Sequence, residues 1–184
     1  MRWLFALTLV ACGDKTVKIN DSGASTLPDD APKVCKSCKQ TCDLEYAPSD
    51  SRTHVDGGVD YPETPPASGD HDGCWAEWGA HASALNDENW VHNLEHGGVV
   101  FLYNCPGGCA AEVAELETFA ATLAENTWIV TPYADMDTQF AVVAWNYRTT
   151  SDCFDLDAWQ DFYDYFVDNA PESVTSMPAA SCME

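Results

Sequence analysis

The stretch Trp90-Val91-His92-Asn93-Leu94-Glu95-His96-Gly97-Gly98-Val99-Val100 decides how this chain is read. Its glycine pair separates a histidine-bearing segment from VVFLYN (99–104), an apolar and aromatic run of strand length. His92 and His96 stand four residues apart, one turn in a helix and an even step in a strand, so either geometry puts both imidazoles on one side. Both rings can then face a single ion. Written as His-x-x-Glu-His, the run also has the spacing of inverted zinc peptidases. Those enzymes carry it inside a long helix, and Gly97, Gly98 and a strand beginning at Val99 deny one on the carboxyl side.

Outward from this stretch, AAEVAELETFAATLAE (110–125) places Val113, Leu116, Ala120 and Leu123 on one face and predicts an amphipathic helix. TWIVTPY (127–133) and FAVVAWNYR (140–148) read as two further strands. Asp155 is placed to cap a last helix with Trp159, Phe162, Phe166 and Tyr163 as its buried stripe. The order strand, helix, strand, strand, helix predicts a single small α/β domain, a short mixed or antiparallel sheet covered by helices on one side and stabilised by disulfides. Upstream, residues 56–79 are rich in Gly and Pro and exclude long helices.

The chain has 184 residues, with 30 acidic against 8 basic and a formal charge of -22. Nucleic acid and anionic lipid are excluded as simple electrostatic partners. The charge is divided unevenly. Seven of the basic residues, Arg2, Lys15, Lys18, Lys33, Lys36, Lys39 and Arg52, lie before residue 53, where they balance seven acids. Residues 53–184 hold every remaining acid and a single cation, Arg148. Three segments follow: residues 1–11 as a signal peptide, 12–52 as a flexible, cysteine-containing arm, and 53–184 as an acidic globular domain.

At the amino terminus Arg2 precedes WLFALTLVA, an apolar run too short to span a bilayer. Leu9-Val10-Ala11-Cys12 resembles a bacterial lipobox, which implies cleavage before Cys12 and lipidation of that residue. A lipid anchor would place the protein on the outer side of a membrane, periplasmic or at the cell surface, despite its acidity. Eight cysteines remain: Cys35, Cys38, Cys42, Cys74, Cys105, Cys109, Cys153 and Cys182. In an oxidising compartment an even set reads as four disulfides of open connectivity. The cluster Cys35-Cys38-Cys42 is alternatively a metal or redox site. Cys105-Pro-Gly-Gly-Cys109 reads either as a loop closed by its own bridge or as the start of two bridges.

Three of the five histidines, His71, His92 and His96, sit in segments short of other titratable bases. The words Pro65-Pro-Ala-Ser-Gly69-Asp-His71, Trp75, Val91 through Val100, Tyr133 through Met136 and Ala144-Trp145 resemble the bacterial domain-of-unknown-function family 3105 over roughly residues 55–182. The resemblance implies a small secreted or membrane-anchored protein and no particular activity. Three positions depart from the family's habit: Asp70 where proline is common, His81 where tyrosine is common, and Asn146 where glycine follows the tryptophan. His81 is accordingly a weak candidate ligand.

A histidine behind a Pro-Pro and Ser-Gly turn is held by a stiff loop, and two more enter the first strand beside it. Three neutral imidazoles suit copper or zinc, and a thioether from Met136 would favour copper. Glu95 reads as the acceptor that orients an imidazole, as a base for a bound water, or as a partner of Arg148. The leading expectation is a lipid-anchored domain binding copper, or zinc, through His71, His92, His96 and Met136. Two alternatives stand beside it: a disulfide-rich structural or interaction module with structural histidines, and a copper-dependent oxidoreductase.

Overall fold

A computed structural model of the protein describes residues 27, 31–32, 44–173 and 182. The expected signal peptide and the candidates Cys12, Cys35, Cys38 and Cys42 lie outside the described residues. In chain order the elements are β1 (Glu45–Tyr46), β2 (His54–Val55), β3 (His71–Asp72), β4 (Gly79–Ala80), α1 (Asp87–Glu95), β5 (Val99–Tyr103), α2 (Ala110–Ala120), β6 (Trp128–Pro132), β7 (Phe140–Ala144), β8 (Tyr147–Ser151) and α3 (Leu156–Phe166).

Six strands form one mixed sheet in the order β1-β8-β7-β5-β6-β4, and β2 pairs with β3 in a separate parallel ribbon. The apolar run after the glycine pair becomes β5 and lies inside this sheet. It runs parallel to β6 and antiparallel to β7. Successive side chains of a strand point to opposite faces. Val99 and Phe101 accordingly join Leu116 of α2 and Trp159, Phe162 and Phe166 of α3 in one apolar cluster. Val100 and Leu102 join Trp90, Val91 and Leu94 of α1 in another. Burial on both faces is why β5 is apolar throughout instead of alternating.

The one-sided helical cover expected from the sequence therefore needs correction. The two predicted helices, α2 and α3, do share a face, but α1 covers the opposite one. Its sequence, DENWVHNLE, carries three core residues among polar ones that are also buried, so the apolar stripe alone does not announce a helix. The segment 140–148 is likewise two strands instead of one. It turns at Trp145-Asn146 into the hairpin β7-β8, with Ala144 opposite Tyr147. Asn146 has φ 66, in the left-handed region that asparagine tolerates better than most side chains and glycine best. The departure from glycine at this position is thus conformationally consistent.

α2 stops at Ala120, short of the predicted residue 125, and its last turn closes with Thr122 N–H donating to the Phe119 carbonyl. Asp155 caps α3 as expected, its carboxylate accepting from Ala158 N–H. Two disulfides join described residues: Cys74 to Cys182 and Cys105 to Cys109. Cys153 is disulfide-bonded as well. The CPGGC segment therefore closes on itself. Glu45 and Tyr46, in the segment read as an arm, supply the edge strand β1 against β8. No helix among the described residues is long and apolar enough to cross a membrane.

Candidate metal centre

α1 ends where its sequence says it must. His96 is the C-cap, and Gly97 follows with φ 88, a conformation that glycine adopts without strain. Gly98 then passes so close to the Trp78 ring and the Asn93 carbonyl that a Cβ would lie 2.6 and 2.9 Å from them. The helix has room for His92 and Glu95 on its last turn and for His96 at its end. The long helix of an inverted zinc peptidase is absent.

Every letter of the helical word has an assignment. Val91 and Leu94 are core. Asn93 clamps the backbone of Ala76, accepting from its N–H and donating to its carbonyl. His92 and Glu95 turn towards β3, where His71 stands paired with His54 of β2. Asp70, in the place of the common proline, holds that ribbon together by accepting from Thr53 N–H and the Ser51 hydroxyl.

The side chains of His54, His71, His92 and Glu95 each offer a donor atom, and these atoms lie within 4.8 Å of one another. His71, His92 and Glu95 are buried and His54 is exposed. His96 adjoins the group, its Nε2 standing 3.0 Å from His92 Nε2. Trp75 packs edgewise on His92 and tilted on His96, and Trp145 meets His71 edge-on, so the imidazoles sit against indole walls.

The hydrogen bonds fix which nitrogen of each ring is available. His71 Nδ1 lies 2.8 Å from the Gly69 carbonyl, His92 Nδ1 2.7 Å from the Asp72 carbonyl and His96 Nδ1 3.0 Å from the Glu172 carbonyl. A carbonyl only accepts, so each Nδ1 carries the proton and donates it. In the neutral ring each Nε2 then presents a lone pair. His71 Nε2 lies 2.9 Å from Glu95 Oε2, but not in hydrogen-bonding geometry, and it is a buried atom without a hydrogen-bond partner. Nε2 of His71 and His92 and a Glu95 carboxylate oxygen converge here, with His96 Nε2 beside His92.

The electrostatics agree for His92 and Glu95, whereas His71 is biased towards the imidazolium, whose Nε2 proton an incoming ion displaces. Burial by itself would lower the His71 imidazole, but contact with Glu95 and the bond to the Gly69 carbonyl carry it above its ordinary value. Burial, with the adjacent His71 charge, pushes His92 down to about 4 and keeps it a neutral donor. Burial would raise Glu95, yet His71 and Arg52 hold it down at about 2, so it is ionised. Arg52 bridges Glu95 at 2.8 Å and Glu172 at 3.0 Å.

Ligands about 2.1 Å from one ion in a tetrahedral site are about 3.4 Å apart. The 2.9 Å contact between His71 and Glu95 is already within that span, and the 4.8 Å spread of the group must contract by about 1.4 Å around an ion. The group can hold a metal ion.

The structure brings His71, His92 and Glu95 together, with His96 beside them. Met136 lies in the apolar cluster with Trp90 and Tyr133, and its carbonyl accepts from Asn104. His81 lies near the sheet edge, with Nε2 donating to the Glu77 carbonyl, outside the four-residue group. Arg148 is not the partner of Glu95: it binds Glu45, Glu63 and the Pro65 carbonyl. Sequence reasoning missed His54 and Arg52. The signal for His54 was its place just before the Gly-Pro-rich segment that returns at His71, and only the pairing of β2 with β3 gives that separation meaning.

Residues 54–182 match the family described as "Protein of unknown function (DUF3105)". The chain belongs to this family. The match begins at His54 and contains the three histidines of the cluster, Glu95 and the adjoining His96, whereas Arg52 lies just outside it. No curated protein and no solved structure matches the chain significantly.

Proposed function

We propose that this protein is a lipid-anchored, extracytoplasmic domain that binds one divalent transition-metal ion through His54, His71, His92 and Glu95, with His96 as a neighbouring fifth donor. The observation that carries this reading is the shared tautomer of His71, His92 and His96. Each spends its Nδ1 proton on a backbone carbonyl and leaves its Nε2 as the atom available to a cation. The carbonyls of Gly69, Asp72 and Glu172 thereby orient the rings in advance.

Imidazoles suit copper and zinc alike. The fourth donor is a carboxylate oxygen in place of the expected thioether, which favours copper(II) or zinc over copper(I). The lipobox-like Leu9-Val10-Ala11-Cys12 supports the anchor, and the disulfides are in keeping with an oxidising compartment.

The test is metal analysis of the protein recovered from its own host, because copper(II) outcompetes zinc at most such sites in vitro. About one equivalent is expected in the wild type and none in the folded His71→Ala/His92→Ala variant. His54→Ala, at an exposed position, should bind more weakly while folding normally. Wild-type protein that recovers no metal after incubation with either ion would support structural histidines instead.

A further inference from the structure

The opposite end of β5 carries a second chemically distinctive group. Five strand residues, about 17 Å of extended chain, separate Gly98 beside the histidines from Asn104 beside Cys105. Cys105 and Cys109 are bonded across Pro106-Gly107-Gly108; both cysteines are half-buried, and the three residues between them are exposed. Cys109 is also the N-cap of α2, an 11-residue helix. The bridge lines a cleft of about 470 Å³ together with Tyr103, Pro106, Val113 and Tyr133, and no charged residue lines it. Tyr103 and Pro132 end the parallel strands β5 and β6 there, and the carboxyl ends of parallel strands are where α/β sheets commonly place ligands.

The two bridges between described cysteines differ in what they do for the fold. Cys74 and Cys182 are 108 residues apart in sequence, so their bond removes much entropy from the unfolded chain. Cys105 and Cys109 are four apart, so their bond restricts less of it. Opening the short bridge therefore costs the fold less, about 2 kcal/mol against about 5 for the long one. The amino end of α2 also favours a thiolate on Cys109, which makes that sulfur the better leaving group.

We propose that Cys105 and Cys109 form a thiol–disulfide exchange site that oxidises a dithiol carried on an apolar peptide segment seated in this cleft. A substrate thiolate attacks Cys105 Sγ, the Cys105–Cys109 bond breaks, and the electron pair leaves on Cys109. The substrate's second thiolate then attacks its own sulfur in the mixed disulfide and releases Cys105. One disulfide is formed and one broken, with two electrons and two protons passing from the substrate to the cysteine pair.

The full-length oxidised chain is mixed, without oxygen, with a reduced synthetic peptide bearing two cysteines in an apolar segment. Peptide oxidation should run at least about tenfold faster than with oxidised glutathione at equal concentration. Alkylation and mass spectrometry should show Cys105 and Cys109 reduced while Cys74 and Cys182 remain joined. Cys109→Ser, checked for folding by circular dichroism, should capture a single-cysteine form of the peptide, supplied as its thionitrobenzoate disulfide, on Cys105 as a stable mixed disulfide with release of thionitrobenzoate. A wild-type rate no greater than that of glutathione, or reduction of this bridge only together with Cys74–Cys182, overturns the proposal. Metal content has no part in the measurement, so its outcome is independent of the histidine site.

Discussion

His92 Nε2 and His96 Nε2 face each other at 3.0 Å while both rings donate their Nδ1 protons to backbone carbonyls, of Asp72 and Glu172 respectively. Two lone pairs at that distance repel unless a proton or a metal ion relieves them. The pair is tied to three parts of the chain at once: α1 bears the rings, β3 supplies one carbonyl, and the segment after α3 supplies the other.

In metal-free protein His92 titrates at about 4, against an ordinary value of 6.5. Between those values the unfolded chain binds a proton that the folded chain refuses, so the His92 contribution to stability falls as pH is lowered through this window. The full shift corresponds to roughly 3 kcal/mol. The raised His71 acts in the opposite sense, adding stability below pH 6.5 that is lost as pH rises through its folded value. Glu95 adds stability above pH 4.5 that disappears as pH falls towards 2. Thermal melts of metal-free wild type and His92→Gln from pH 6.5 to 4.5 should show a shallower decline in the variant. Parallel declines would remove His92 as the cause.

Glu95→Gln keeps the side chain's size and removes its charge. His71 loses the adjacent anion, and the hydrogen bond from Arg52 loses its charged acceptor. A cost of about 1–3 kcal/mol in the metal-free protein is expected. Metal affinity should fall by at least about tenfold, as when a ligand or its hydrogen-bonded support is altered. Calorimetric titration measures the second effect; unchanged affinity would show that the carboxylate serves the fold alone.

At the β7-β8 turn Asn146 has φ 66 and donates its N–H to the Ala67 carbonyl. Asn146→Ala should destabilise the protein by about 1 kcal/mol, because a Cβ is disfavoured there without the local hydrogen bonding of asparagine. Asn146→Gly should be close to neutral. Chemical denaturation distinguishes these outcomes, and equal losses in both variants would place the asparagine's importance in its side-chain contacts instead.

The periodic parts of the fold were legible because they obey local rules. The run 99–104 is apolar on both faces of a strand, and the stripe Trp159, Phe162, Tyr163 and Phe166 faces a core at helical spacing. α1 was ambiguous because His92, Asn93 and Glu95 are buried polar residues, which blur the apolar pattern of a helix. The hairpin at Asn146 was hidden inside a continuous run of strand formers.

The sequence by itself determined an α/β domain, its two longest helices, its cysteine supply, its family and the histidines of the 92–96 word. It also bounded the helix that bears them, since Gly97 and Gly98 end it. Only the tertiary structure decided that His54 and Arg52 belong beside Glu95, that Arg148 does not, and that α1 covers the second face of the sheet. The physical reason is separation along the chain. Strand pairing between β2 and β3 and the ion pair across Arg52 and Glu95 join residues with no fixed spacing, and such contacts form only when the packed fold brings them together.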